Sequence, residues 1–197
     1  MKNKKDNFNR QSIRLKGYDY STEGLYFITI CTHKRKHLFG KIINNEMILN
    51  PIGIIANNQW QLLAKRFIHI EMGPFIVMPN HIHGIIMVRA TLAVAHDPID
   101  SKATLAVAHD PIDSHDSRAT TRVAPTNYTL GNIVGAYKSL VVNRCVKYAN
   151  GNGSYGGLGK IWHRNYYEHI IRNEKSFHNI SNYIQNNPTK WGDDQFK

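Results

Sequence analysis

The sequence is poor in cysteine, with two in 197 residues. Cys31 and Cys145 lie far apart and outside any paired spacing, which argues against a disulfide framework and against a thiolate zinc cluster. We expect two reduced thiols that pack as small apolar groups.

Long apolar runs are also absent. No stretch approaches the ~18 uninterrupted apolar residues that a membrane span needs, and residues 1–6 lead into polar sequence rather than the apolar core of a signal peptide. With 42% hydrophobic residues the chain can still bury a core. We therefore expect one soluble, cytoplasmic domain over residues 1–197, with no membrane partner.

Acidic residues are few, because 14 Asp and Glu stand against 25 Lys and Arg and the net charge is +11. Residues 90–118 hold five Asp, one Lys and one Arg, a local charge of −3, so the rest of the chain carries +14. Such an excess suits a polyanion, most often nucleic acid, since each neutralised phosphate releases condensed counterions. A basic surface that is merely solvated is the alternative, and no basic amphipathic helix points to an anionic membrane.

One internal repeat is present: residues 90–101 recur unchanged at 103–114. Two copies are too few for a solenoid, which needs about three repeats to bury a continuous core. We interpret residues 90–127 as a duplicated, mobile loop insert within the single domain. The histidines of the insert are copied with the repeat and do not indicate a metal site.

The remaining sequence alternates between strand-like and helix-like periodicity. The predicted elements are a strand at 25–32, a hairpin of 39–43 and 46–49 about Asn44-Asn45, a helix at 52–65, strands at 68–77 and 81–89, a helix at 130–148, and a last helix from residue 174 with Asn173 as N-cap. This order predicts an α+β fold in which helices cover an antiparallel sheet.

Two histidines, His81 and His83, flank Ile82 on one of the predicted strands. Side chains at i and i+2 of a strand point to one face, so the two imidazoles project together while Ile82 turns to the opposite, apolar face. Two imidazoles so placed can share one metal ion, although a plain structural role fits them as well. A metal site requires a third ligand.

The last predicted helix carries Tyr183 and Asn187, one turn apart and nearly on one line of the helix. An adjacent apolar stripe would dock this helix on the sheet and bring the phenol and the amide to a metal held by the histidine pair. Read alone, Tyr183 could be an amphipathic residue at a core margin, and Asn187 a C-cap before Pro188.

The motif Pro-Asn-His-Ile-His-Gly around the histidine pair resembles the HUH motif of the single-tyrosine transposases. Tyr183, with Asn187 four residues on and Pro188 closing the helix, resembles the catalytic helix of the REP-associated tyrosine transposases. Further matching segments are 17–20, 26–32, 38–40 and 162–172. The resemblance covers nearly the whole chain apart from the insert. It implies a ferredoxin-like antiparallel sheet with helices on one face, and cleavage and rejoining of single-stranded or hairpin DNA by a monomer or homodimer.

The implied chemistry fits these residue types. Producing phenolate at pH 7 from a tyrosine of pKa ~10 costs roughly 4 kcal/mol, and a divalent metal offsets much of the barrier by polarising the phosphate. Tyr183 would attack phosphorus and leave a 5′-phosphotyrosine and a free 3′-OH, and another 3′-OH could reverse the step. His81, His83 and Asn187, with positions left open for phosphate, suit Mg²⁺ or Mn²⁺.

Candidate DNA contacts are the basic residues in or beside the matching segments, namely Arg14, Lys16, Lys138, Arg164 and Arg172. Three aromatic residues could stack unpaired bases, although a core position suits each of them at least as well: Trp162, Tyr166 and Tyr167. Gln185 is a weaker metal-ligand candidate. Tyr137 is the main rival nucleophile, but nothing near it supplies a ligand one turn away.

Two other functions stay open at this stage. A replication or relaxation initiator uses the same nick-and-join chemistry, although a single compact unit favours the smaller transposase. A non-catalytic DNA-binding protein could retain the fold and the same residues.

Overall fold

The structure, a computed structural model, describes residues 17–89, 128–151, 159–194 and 196. The expected insert at 90–127 and the candidate DNA contacts Arg14 and Lys16 lie outside the described residues. The elements are β1 (Gly24–Cys31), β2 (Gly40–Ile43), β3 (Glu46–Leu49), α1 (Pro51–Gln61), α2 (Leu63–Arg66), β4 (Ile70–Val77), β5 (His81–Val88), α3 (Leu130–Gly151), β6 (Tyr167–Ile171) and α4 (Glu174–Asn186), with short 3-10 turns at His33–Arg35 and Pro188–Asp193.

Four strands form one antiparallel sheet in the order β4–β5–β1–β6, and β2 pairs with β3 in a separate hairpin. Along the chain the elements run β1–α1–β4–β5–α3–β6, and the first sheet strand lies between the third and the fourth. This is the ferredoxin-like βαββαβ arrangement. The predicted α+β class, with an antiparallel sheet and helices packed on it, is confirmed.

One face of the sheet forms the main core with α1 and α3. Tyr26, Ile28 and Ile30 alternate along β1 and are fully buried, and they share one apolar cluster with Trp60 of α1 and Tyr137 of α3. Large aromatic side chains contribute most of the buried apolar area in such a cluster. The two crossover helices therefore lie on one face, as the ferredoxin-like arrangement requires.

Helix α4 packs on the opposite face. Its Ile184 forms a second apolar cluster with Ile85 of β5 and Phe27 of β1, two residues that lie directly opposite each other in the sheet and point away from the main core. Helix α4 thus covers the second face of the sheet, in addition to the helices packed on the first face. The physical reason is that β1 and β5 carry apolar side chains in both of their alternating sets, so each face needs a cover.

Strand β6 is an edge strand that the sequence pattern does not reveal. Of its five residues only Ile171 is buried, so β6 lacks the apolar alternation that marks a half-buried strand. The helix predicted over 52–65 is interrupted at Leu62, which separates α1 from α2. Among the described helices none is long and apolar enough to cross a membrane.

Local turn and cap signals in the sequence are confirmed. Asn44 and Asn45 have φ of 50° and 64° and form the turn between β2 and β3, the left-handed geometry that short hairpins favour. Asn173 is the N-cap of α4, and its side-chain oxygen accepts a hydrogen bond from the Ser176 amide at 2.8 Å. This cap fixes where the helix that carries Tyr183 begins.

Gly84 of β5 allows α1 to lie close to the sheet, because a Cβ added there would fall 2.3 Å from a ring carbon of Trp60. The Trp60 ring is buried and stacks on Phe75 at 5.2 Å, which leaves it little room to move. We predict that Gly84→Ala lowers the free energy of unfolding by about 1–3 kcal/mol, as measured by urea unfolding.

The matched control is Gly135→Ala in α3, where an added Cβ meets nothing within 4 Å. Helix propensity favours alanine over glycine by about 1 kcal/mol, so this variant should be at least as stable as the unchanged protein. Equal stability of the Gly84 and Gly135 variants would contradict the packing argument.

Candidate active site

The two histidines lie side by side at the start of β5, on the face of the sheet that α4 covers. Both are buried, and their ring centroids are 4.4 Å apart. Ile82 between them points into the main core. The strand geometry inferred from the sequence thus brings the two imidazoles together.

Hydrogen bonds fix the orientation of the His81 ring. Its Nδ1 lies 2.8 Å from Oδ1 of Asn80, while the Asn80 amide nitrogen donates to the carbonyl oxygens of Phe196 at 2.6 Å and Arg35 at 3.4 Å. These carbonyls identify the Asn80 amide nitrogen, so Oδ1 is the acceptor and His81 Nδ1 carries the proton. The lone pair of neutral His81 is therefore on Nε2, which is buried and has no hydrogen-bond partner among the described residues.

His83 is held between the sheet and α4. Its Nδ1 lies 2.8 Å from the Thr29 hydroxyl, which is directly opposite in β1, and its Nε2 lies 3.2 Å from the Tyr183 hydroxyl. The Phe27 ring stacks on the His83 ring at 5.2 Å. Polar contacts on both nitrogens and an aromatic face leave the ring a single orientation.

Burial keeps both imidazoles neutral at pH 7. It lowers the pKa of His81 to about 4, against the opposing influence of the nearby Asp194 carboxylate. Burial also lowers the pKa of His83 well below the usual value, and the neighbouring His81 lowers it further. Neutral imidazole is the form that coordinates metal ions.

Asp194 is a site residue that the sequence did not reveal. Its Oδ2 lies 3.7 Å from His81 Nε2 and is buried, and no residue that the structure describes forms a hydrogen bond with it. Because His81 is neutral and carries a lone pair on Nε2, two acceptors face each other without a proton between them. A cation between the two atoms would satisfy both. His81, His83 and Asp194 each offer one ligand atom, and these atoms lie within 4.8 Å of one another.

Asn187 lies at the end of α4, next to the same site. It is buried, and its Oδ1 is a further buried acceptor with no hydrogen-bond partner in the part of the chain that the structure describes. Imidazole nitrogens together with amide and carboxylate oxygens form a donor set that accepts several divalent ions. The residues therefore fit a metal ion, and Asp194 extends the ligand set predicted from the sequence, which was His81, His83 and Asn187.

Tyr183 lies at the boundary between this site and solvent, with 37% of its surface exposed. Burial raises its pKa and the Asp194 carboxylate raises it further, whereas a hydrogen bond with Asn187 lowers it. The phenol is consequently neutral at pH 7 and needs help to become a nucleophile. Ile184, the next residue along α4, is buried in the second cluster and anchors the helix.

A cavity of about 420 Å³ opens beside the Tyr183 hydroxyl, a size typical of ligand sites. It is lined by Phe27, Thr29, Arg35, His83, Tyr167, Glu168, His169, Tyr183 and Phe196. Phe196 was not anticipated from the sequence. Its ring lies 5.2 Å from the His81 ring and 5.7 Å from the His83 ring, so the end of the described chain closes one side of the cavity.

The rival residues lie elsewhere. Tyr137 is fully buried in the main core and donates a hydrogen bond to the Ala56 carbonyl at 3.0 Å, and burial raises its pKa well above the usual value. Gln185 is exposed to solvent. Of the three aromatic candidates for base stacking, Trp162 and Tyr166 are buried in the main cluster, and Tyr167 lines the cavity.

The basic candidates for DNA contact differ in their surroundings. Lys138 donates hydrogen bonds to the carbonyl oxygens of His163 and Asn165, both at 3.0 Å, and burial lowers its pKa to about 8. These hydrogen bonds stabilise the loop that precedes β6. Arg164 and Arg172 are exposed to solvent and accessible to a ligand.

Comparisons with known proteins show both a family and a fold. No protein-family model matches the chain. The chain is 39% identical over 188 residues to an uncharacterised protein of Haemophilus influenzae, and the match covers 94% of this chain and 92% of that protein. At this identity and coverage the two proteins are members of one family.

Among solved structures, a REP-associated tyrosine transposase bound to a REP hairpin has the same fold. The superposition has a TM-score of 0.52 at 18% sequence identity and covers 91% of this chain and 74% of that chain. The fold that the resemblance implied is thereby confirmed. The chain belongs to one family with the Haemophilus influenzae protein, and its fold is that of the REP-associated tyrosine transposase.

Proposed function

We propose that this chain is a DNA-cleaving and strand-joining enzyme of the single-tyrosine HUH transposase type, which acts on single-stranded or hairpin DNA. The observation that carries the proposal is the position of Tyr183, whose hydroxyl lies 3.2 Å from Nε2 of His83 and which lines the same cavity as that histidine. The resemblance of the sequence motifs supports it, as does the shared fold with a transposase that was solved bound to a REP hairpin.

A divalent ion, Mg²⁺ or Mn²⁺, would be held by His81, His83, Asp194 and Asn187. Four protein ligands leave open positions on a six-coordinate ion, whereas they would close a tetrahedral zinc site. When bound, such an ion polarises a phosphate oxygen and stabilises the negative charge that develops on it. The net charge of +11 favours approach of a polyanion.

Tyr183 would carry out the cleavage step itself. The phenol oxygen of Tyr183 forms a bond to phosphorus, the bond from phosphorus to the 3′ oxygen breaks, the phenol loses its proton, and the 3′ oxygen takes one up. The products are a 5′-phosphotyrosine and a free 3′-OH. Since a phosphodiester replaces a phosphodiester and phenolate leaves readily, another 3′-OH can reverse the step and join a new strand.

The surroundings of Tyr183 hold its side chain in place, and this positioning would contribute to the rate of cleavage. α4 begins at a capped residue and is anchored by Ile184, and the Phe27 ring lies edge-on to the Tyr183 ring at 6.2 Å. A nucleophile fixed in this way does not lose further orientational freedom when the strand binds.

We predict that Tyr183→Phe abolishes the covalent protein–DNA adduct while folding and binding are retained, because only the nucleophilic oxygen is removed. The measurement is a DNA-linked band on a denaturing gel, formed from a labelled hairpin oligonucleotide with Mg²⁺ or Mn²⁺. Tyr137→Phe is the matched control and should keep the adduct, at a cost of about 1 kcal/mol in stability for its lost hydrogen bond. An adduct formed by the Tyr183 variant would show that another residue is the nucleophile.

We also predict that Asp194→Asn weakens Mn²⁺ binding by roughly tenfold or more, since loss of a ligand should cost at least as much as loss of a group that supports one. Without metal this variant should be as stable as the unchanged protein or more stable, because the amide can donate to the His81 lone pair. The measurement is thermal unfolding with EDTA and with Mn²⁺, where saturation to 100 times Kd stabilises by about 2.7 kcal/mol.

The neighbouring, exposed Asp193 provides the control for that experiment. Asp193→Asn removes the same charge and should retain the full stabilisation by Mn²⁺. Stabilisation of the Asp194 variant equal to that of the Asp193 variant would exclude Asp194 as a ligand.

A further inference from the structure

A cluster of basic residues lies beside the cavity and is not used by the cleavage chemistry. It consists of Lys34, Lys36, Lys160 and His163, which surround His33, and we call it the basic platform. All four side chains are exposed. Burial lowers the pKa of His33, and the positive charges of Lys160, Lys34 and Lys36 lower it further.

The platform residues lie in two segments, residues 33–36 and residues 160–163. Backbone hydrogen bonds hold these two segments together. The His33 amide donates to the Ile161 carbonyl at 2.7 Å, and the His163 amide donates to the Cys31 carbonyl at 2.9 Å. Thr32 forms an isolated bridge with Trp162 between these bonds. The two segments therefore form a fixed surface rather than two independent loops.

The first segment is also held in an unusual backbone conformation. Lys34 and Arg35 have φ of 55° and 52°, the left-handed region that side-chain-bearing residues rarely adopt. The buried Thr32 hydroxyl donates to the Lys36 carbonyl at 2.8 Å and closes this turn. Strained residues of this kind persist where the surroundings over-determine them, most often at binding and catalytic sites.

The platform adjoins the cavity in two ways. Arg35, in the middle of the first segment, lines the cavity beside Tyr183. Cys31, the last residue of β1 before this segment, pairs with His81 in the sheet. A strand with one phosphate at the Tyr183 hydroxyl would thus find exposed cations where it leaves the cavity.

No carboxylate neutralises the platform within the described parts of the chain. The ion pairs formed there join Arg89 to Glu71, His178 to Glu174 and His81 to Asp194, and none includes a platform lysine. Like charges held close together without counter-charges repel one another, and an external polyanion would relieve that repulsion.

We propose that the basic platform binds the sugar–phosphate backbone of single-stranded DNA next to the phosphate that Tyr183 attacks. This inference rests on the proposed function for the identity of the strand. The contacts go to phosphates, so binding at the platform is independent of base sequence. Lys138 supports the second segment through the carbonyls of His163 and Asn165 and acts there as a positioning residue.

The test measures binding without cleavage. Tyr183→Phe protein in EDTA is titrated with a fluorescent oligothymidylate of ~15 nucleotides, within the range of single-strand sites, at several salt concentrations. The double variant Lys34→Gln with Lys36→Gln loses two phosphate contacts. Each contact contributes about 0.7 to the slope of log affinity against log salt, so the slope should fall by about 1.4. Affinity at 0.1 M salt should fall about fivefold per lost contact. Lys160→Gln should lower the slope by about 0.7.

Lys65→Gln with Arg66→Gln is the matched control, because it removes the same charge from the end of α2. That helix precedes the start of β4, which pairs with the end of β5 remote from His81. The control should keep the unchanged slope. An unchanged slope in the Lys34 and Lys36 variant, or an equal fall in both pairs, would overturn the platform.

Different results would refute the cleavage chemistry and the basic platform. An adduct formed by the unchanged protein, together with an unchanged slope in the Lys34 and Lys36 variant, would refute the platform alone. A reduced slope in that variant, with no adduct from the unchanged protein, would support the platform as a strand-binding surface and refute the cleavage chemistry. Charge-conserving Lys34→Arg with Lys36→Arg should restore the slope, which separates lost phosphate contacts from misfolding.

Discussion

The site depends on one unfavourable juxtaposition, in which the His81 lone pair faces the Asp194 carboxylate in a buried space. Within the described ranges of the chain, neither Nε2 of His81 nor Oδ2 of Asp194 has a hydrogen-bond partner, and the buried Oδ1 of Asn187 has none. Leaving one such group unsatisfied costs about 1–3 kcal/mol, so the three together cost a sizeable part of a typical folding free energy of about 5–15 kcal/mol. A bound cation would offset this cost.

The rest of the fold holds these groups in place. The β1–β5 register places Thr29 beside His83, the main core fixes Ile82, and the second apolar cluster holds α4 so that Tyr183 meets the histidine pair. Both sheet faces are used, one for packing against α1 and α3 and the other for the site and α4. The main core thus lies on one side of the sheet, and the candidate site lies on the other.

Part of the site could be predicted from the sequence because local geometry determines it. The spacing of two residues on a strand places His81 beside His83, and the spacing of four residues on a helix places Tyr183 beside Asn187. Tyr137 could be set aside as a nucleophile for the same reason, since it lacks a ligand partner one turn away.

Other features depend on tertiary contacts that no local pattern encodes. Asp194 lies beyond α4 in a 3-10 turn, and only the packing of that turn brings its carboxylate to His81. β6 is stabilised by its pairing with β1 rather than by an apolar pattern of its own. Lys138 has the spacing and charge of a DNA contact, yet its ammonium group is satisfied by two carbonyls.

We infer that a divalent ion binds between His81, His83 and Asp194, next to the Tyr183 hydroxyl. The most direct test is a crystal of the unchanged protein soaked in Mn²⁺ and measured for anomalous scattering. We expect one strong peak in contact with Nε2 of His81 and Oδ2 of Asp194, and its loss in crystals of Asp194→Ala. No peak there, or a peak that persists in the variant, would contradict it.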